Sequence, residues 1–77
     1  MIVSILLVQV PVGNEDSMRD NINNLGGVEV TESGNGYLVA ATDSETSEND
    51  YKLIEEIKRL ENIINVSLVM TADESCI

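Results

Sequence analysis

Fourteen carboxylates and one thiol dominate the reactive groups of this 77-residue chain, which has no histidine and only four Lys and Arg residues. The densest acidic group is Asp43, Glu45, Glu48 and Asp50, which invites a Ca²⁺-loop reading. An EF-hand needs Gly at its sixth position and Glu at its twelfth, where Glu48 and Ile54 stand. The acids read instead as the solvated start of a helix, where the dipole favours negative charge. Gly34-Asn35-Gly36 has the composition of a phosphate-cradling loop, but it joins two strand patterns and opens no helix, so it reads as a turn. Glu55 and Glu56 occupy adjacent helix positions that point in different directions, which does not make an acid–base pair. Ser4 and Ser67 sit in strands with no His or Lys base placed for them. Tyr51 reads as a half-buried packed ring, and Cys76 as an incidental thiol near the C-terminus, with no partner for an internal disulfide. No catalytic residue, metal site or cofactor is expected, and an enzyme is disfavoured.

Net charge narrows the partners. At −10, with clustered Lys and Arg absent and only Tyr37 and Tyr51 as aromatics, the chain lacks what phosphate binding and base stacking require, which excludes nucleic acid. A cationic partner is the electrostatic complement. The apolar opening Ile2-Val3-Ser4-Ile5-Leu6-Leu7-Val8 has no basic leader and no small-residue cleavage site. At about nine residues it is also too short to cross a membrane. A cytoplasmic chain, without membrane partners, is the expectation. At 43% apolar the chain can fold, with aliphatic packing carrying the core, as one domain over 1–77 that ends in a short polar tail at 72–77.

The elements follow from pattern. Ile2 to Val10 is apolar at both parities, as in a central strand, and Pro11 and Gly13 end it. Asn14 is placed to cap a helix of about eleven residues in which Met18, Ile22 and Leu25 form one stripe and Gly26-Gly27 the stop. Val28 to Glu32 alternates as an edge strand, Ser33-Gly34-Asn35-Gly36 turns, and Tyr37 to Thr42 returns. Ser44 and Ser47 are the chief capping candidates for a second helix, roughly Ser47 to Glu61, with Leu53, Ile54, Ile57 and Leu60 on its inner face. Ile63 to Thr71 is the last strand. The order βαββαβ with right-handed crossovers gives an α+β, ferredoxin-like sandwich: an antiparallel sheet ordered 4-1-3-2, with both helices on one face.

The other face should be polar where it meets water, yet alternation makes it apolar. Val28 and Val30 point to the helices and Glu29 and Thr31 away; Leu38 and Ala40 point inward, leaving Tyr37, Val39 and Ala41 outward. In the last strand Val66 and Leu68 inward leave Ser67, Val69 and Thr71 outward. The first strand presents either Ile5 and Leu7 or Leu6 and Val8. An aliphatic centre ringed by Ser, Thr and Glu is the form of a binding surface. A cationic segment followed by an apolar one, the build of a secretory signal peptide, would suit it. Sheet-to-sheet homodimerisation is the alternative.

The hairpin Ser33 to Val39, the acidic Asp43-Ser44-Glu45-Thr46, the helix end Ile57-Lys58-Arg59-Leu60-Glu61-Asn62-Ile63 and above all Asn65-Val66-Ser67-Leu68-Val69-Met70 resemble the NapD family. Leu6-Leu7-Val8-Gln9 and Gly27-Val28-Glu29-Val30 fit it too, so the resemblance spans nearly the whole chain. It implies a cytoplasmic assembly chaperone that binds the twin-arginine signal peptide of a periplasmic nitrate reductase precursor. Such a chaperone delays export until the precursor's molybdenum cofactor is inserted, and holds no cofactor itself. The expected contact lies on the open face, with Val39, Ala41, Ser67 and Val69 as candidates and Glu29 as cation partner; no family motif carries these assignments. A monomer is expected. The competing reading is a regulatory ferredoxin-like module that dimerises through its sheet and binds a small metabolite.

Overall fold

Strand β1 (Ile2–Gln9) alternates strictly in burial: Ile2, Ser4, Leu6 and Val8 are buried, while Val3, Ile5 and Leu7 are half-buried. That settles its parity, with Ile5 and Leu7 on the open side. The computed structural model describes residues 2–73 and continues with α1 (Glu15–Asn23), β2 (Val28–Gly34), β3 (Tyr37–Thr42), α2 (Ser47–Lys58) and β4 (Asn65–Asp73). The sheet runs β2-β3-β1-β4, every neighbouring pair antiparallel, which is the expected ferredoxin-like order with β1 and β3 central.

Between sheet and helices lies a core of Leu6, Val8, Val10, Met18, Ile22, Val28, Leu38, Ala40 and Ile57. Leu25, Leu53, Ile54, Leu60 and Ile63 pack around it. It contains no aromatic ring, so stability rests on aliphatic contacts, each fully buried side chain contributing about 1.5–3 kcal/mol.

The helix ends differ from expectation. Asn14 makes no side-chain cap on α1; Glu15, one residue on, turns back, and its carboxylate accepts the N–H groups of Gly13 and Gly36, each at 2.7 Å. One side chain thereby fixes the start of α1 to the β2–β3 turn. At the other end the helix closes at its C-cap Asn24, and Gly26 and Gly27, at φ of 78° and 75°, take the left-handed region that turns the chain into β2. For α2 the cap is Thr46, whose Oγ1 accepts the Asn49 N–H at 3.1 Å. Ser47 is the first helical residue, and the Ser44 hydroxyl is donated to Asp50 instead. The helix ends at Lys58, three residues before the expected Glu61, and Asn62 at φ 69° turns the chain away. Ile63 and Ile64 lie in the connection, and β4 extends past Thr71 through Ala72 and Asp73, which the sequence reading put in the tail. Cys76 and the rest of that tail lie outside the described residues.

Candidate functional site

Register places the open-face side chains in rows across the sheet. Glu29 pairs with Ala41, Ala41 with Ile5, and Ile5 with Met70. Glu32, Val39, Leu7 and Ser67 form the next row, and Gly34, Tyr37, Gln9 and Asn65 the last. Four of the five expected site residues, Glu29, Val39, Ala41 and Ser67, thus lie in two adjacent rows. Val39 and Ala41 are half-buried, while Glu29 and Ser67 are exposed.

Both edge strands carry an irregularity that period-two alternation does not foresee. On β2 the register shifts between Val30 and Glu32, which leaves Thr31 without a pairing partner. The Thr31 hydroxyl donates to the Val39 carbonyl at 3.3 Å, and Glu32 takes the open-face position expected for Thr31. On β4 the shift falls between the partners of Ile5 and Leu6, so Val69 has no partner and stands 63% exposed in a bulge. Thr71 is consequently paired with Ser4 on the helix side, not outward as alternation suggests, and Met70, opposite Ile5, takes the outward place. Leu68 pairs with Leu6 on the helix side but remains exposed, because β4 is an edge.

The β4 shift has a visible beneficiary. Asp50, expected at a solvated helix start, is buried and accepts hydroxyl protons from Ser4 at 2.5 Å, Thr42 at 2.5 Å and Ser44 at 3.2 Å. Ser4 Oγ also lies 3.1 Å from Thr71 Oγ1, and the Ser4 N–H donates to Thr42 Oγ1 at 3.0 Å. This network ties β1, β3, β4 and the first turn of α2 together. Ser4 is fully buried beneath it, closed to any substrate. Among the described residues no group of three or more His, Cys, Asp or Glu side chains could hold a metal ion. Tyr51 is 64% exposed, correcting the half-buried expectation, because α2 turns Leu53, Ile54 and Ile57 to the core.

Charge on the molecule is sorted by layer. The four basic residues are all on the helix layer: Arg19 in α1, Lys52 and Lys58 in α2, and Arg59 at its C-cap. Arg19 pairs with Asp16 at 3.3 Å, Lys52 with Glu48 at 3.8 Å and Lys58 with Glu55 at 3.6 Å. Open-face strands carry carboxylates and no cation. Two hollows mark the ends of this face. One, of about 330 Å³, is lined by Val3, Val28, Glu29, Ala41, Thr42 and Asp43. The other, of about 370 Å³, is lined by Leu7, Gln9, Asn35, Gly36 and Tyr37 and has no charged side chain. Tyr37 lies over Gly34 so closely that a Cβ there would strike its ring. Sequence reasoning missed Met70, Glu32 and Asp43 as open-face groups. The unforeseen bulges bring Met70 and Glu32 there, and Asp43, just past the end of β3, borders the hollow at the end of the face.

The arrangement offers an apolar floor and one-signed charge at its border, with no nucleophile beside a base among the described residues. It can hold a partly apolar, cationic chain. Comparison with known proteins agrees in kind. A family model described as the NapD protein matches residues 1–75. A solved structure described as the solution structure of the E. coli Tat proofreading chaperone protein NapD is 29% identical with a TM-score of 0.85, and the match covers 96% of this chain and 80% of that one. Among curated proteins none matches.

Proposed function

The chain belongs to the NapD family, and from that premise we propose that it is a Tat proofreading chaperone. In this reading residues 1–77 act as one domain in the cytoplasm. The chain binds the twin-arginine signal peptide of the precursor of a molybdenum-containing periplasmic nitrate reductase, and release waits on cofactor insertion in that precursor. The observation that carries the reading is the open sheet face: aliphatic along Ile5, Leu7, Val39 and Ala41, bordered by carboxylates and without a Lys or Arg. A twin-arginine peptide brings what such a face lacks, positive charge followed by an apolar run. Glu29 is the cation partner in this proposal, Val39 and Ala41 the apolar floor, Ser67 a hydroxyl contact and Val69 an apolar contact at the β4 bulge. No described helix is long and apolar enough to cross a membrane.

Calorimetric titration of the chain with a synthetic twin-arginine signal peptide tests the reading. Binding at low salt, one peptide per chain, is expected; no heat and no shift of the melting midpoint would overturn it. Light scattering on the same samples separates the regulatory alternative, which requires a dimer that persists on dilution.

A further inference from the structure

The open face is not symmetric end to end, and its asymmetry gives a bound peptide a direction. At one end Val3 and Ala41 floor the hollow bordered by Glu29 and Asp43; neither carboxylate is in an ion pair among the described residues. Apolar floor with carboxylates at its border suits the arginine side chain, whose methylene stem packs while its guanidinium meets the acids. At the other end the hollow of Leu7, Gln9 and Tyr37 is uncharged and contains the face's one aromatic ring. Between them Ile5 and Leu7 run along the centre, flanked by Ala41, Val39 and Met70. Val3 and Gln9 are six residues apart on β1, about 20 Å at about 3.3 Å per residue. That span matches about 13 residues of a helical peptide at about 1.5 Å each, or about six of an extended one at about 3.3 Å each. Glu32 is the competing anchor, but it lines its small surface hollow with Arg19 and no second carboxylate, whereas Glu29 and Asp43 share one hollow; Asp43 also borders a neighbouring hollow lined by Lys52.

Resting on the chaperone reading above, we propose that the signal peptide lies along β1, its arginines at the Glu29–Asp43 hollow and the far end of its apolar segment at the Leu7–Tyr37 hollow.

The probe is a synthetic peptide of two arginines followed by about a dozen Leu and Ala residues, the helical length that spans the face, with a nitroxide at either end. It is added to the full chain labelled for NMR. A nitroxide at the arginine end should broaden the amide signals of Val3, Ala41 and Ala72, and one at the apolar end those of Leu7, Gln9 and Tyr37. Binding with the reversed pattern, or with equal broadening from both labels, overturns the direction and leaves the chaperone reading standing. Absence of binding by either peptide overturns both. As a second measurement, the double variant Glu29→Gln, Asp43→Asn should weaken the arginine peptide about fivefold at low salt, the worth of two partly exposed charge pairs. It should leave unchanged the affinity of a peptide with glutamines in place of the arginines. Equal loss for both peptides also overturns the assignment.

Discussion

Asp50 is buried with hydroxyls for partners and no cation beside it among the described residues. Its position in the first turn of α2 supplies the missing compensation, since the dipole there favours a negative group. Asp50→Ala would take the carboxylate partner from the buried hydroxyls of Ser4 and Thr42 and from the half-buried Ser44. A loss of about 3–5 kcal/mol is expected in chemical denaturation, a large share of the roughly 4–12 kcal/mol a domain of this size holds. Asp50→Asn retains an acceptor and should lose less than half as much; equal losses would show that the charge, not the acceptor, matters. Glu15 allows a pH test. The Gly36 N–H foremost, then its own N–H and that of Gly13, hold its carboxyl below the ordinary 4.5. A folded-state value below the unfolded one adds stability that is fully present above the unfolded value and lost as pH falls through the folded one. Wild type should therefore unfold later than Glu15→Gln at pH 7, and the gap should close as pH falls below 4.5. A gap that persists under acid would mean that packing, not the charged hydrogen bonds, is what Glu15 supplies.

Edge strands decide how much of this molecule was legible in its sequence. Central strands and the helix cores behaved as periodicity predicts: Leu38 and Ala40 inward, Val39 and Ala41 outward, Met18, Ile22 and Ile57 buried. The misses gather where an edge slips by one residue, because a bulge inverts the phase of everything after it and nothing in Thr31 or Val69 advertises one. The same slip kept Thr71 from being seen as Ser4's partner and Met70 as part of the open face. Helix caps were missed for a related reason: Ser44, a good cap by type, is taken by a buried acid that sequence cannot place in contact with it. Both bulges sit on exposed edges, where an irregular strand resists pairing with a second molecule. Deletion of Val69 tests this directly. With Leu68 facing the helices and Thr71 doing so again, removing the unpaired residue restores plain alternation while Met70 stays outward. The shortened chain should keep its stability within about 1 kcal/mol. It should also self-associate more, measured by light scattering, because β4 would then present an uninterrupted, uncharged edge from Asn65 to Ala72. Unfolding of the deletion variant would mean that the bulge geometry itself is needed for the fold.

For the molecule as a whole, one quantity pushes stability and binding in opposite directions. The formal charge of −10 is confined to a body with a radius of gyration of 11.9 Å, so at about 0.01 M salt, where the screening length is about 30 Å, every carboxylate repels every other. At about 0.15 M the length falls to about 8 Å and only neighbours interact. Added salt should then raise the melting midpoint of the free chain; relief of about 1 kcal/mol would move it by about 4–8 °C. The same screening removes the attraction between the carboxylate border of the open face and an arginine-bearing peptide, so affinity should fall several-fold over that range while the apolar contacts persist. A peptide with glutamines for arginines isolates the two effects, since its binding should be nearly indifferent to salt. Melting and affinity moving together with salt would mean that the acidic excess serves neither repulsion nor recruitment. Opposite slopes, with the glutamine peptide flat, are the signature of a chain that accepts self-repulsion in exchange for drawing a cationic partner to its uncovered sheet.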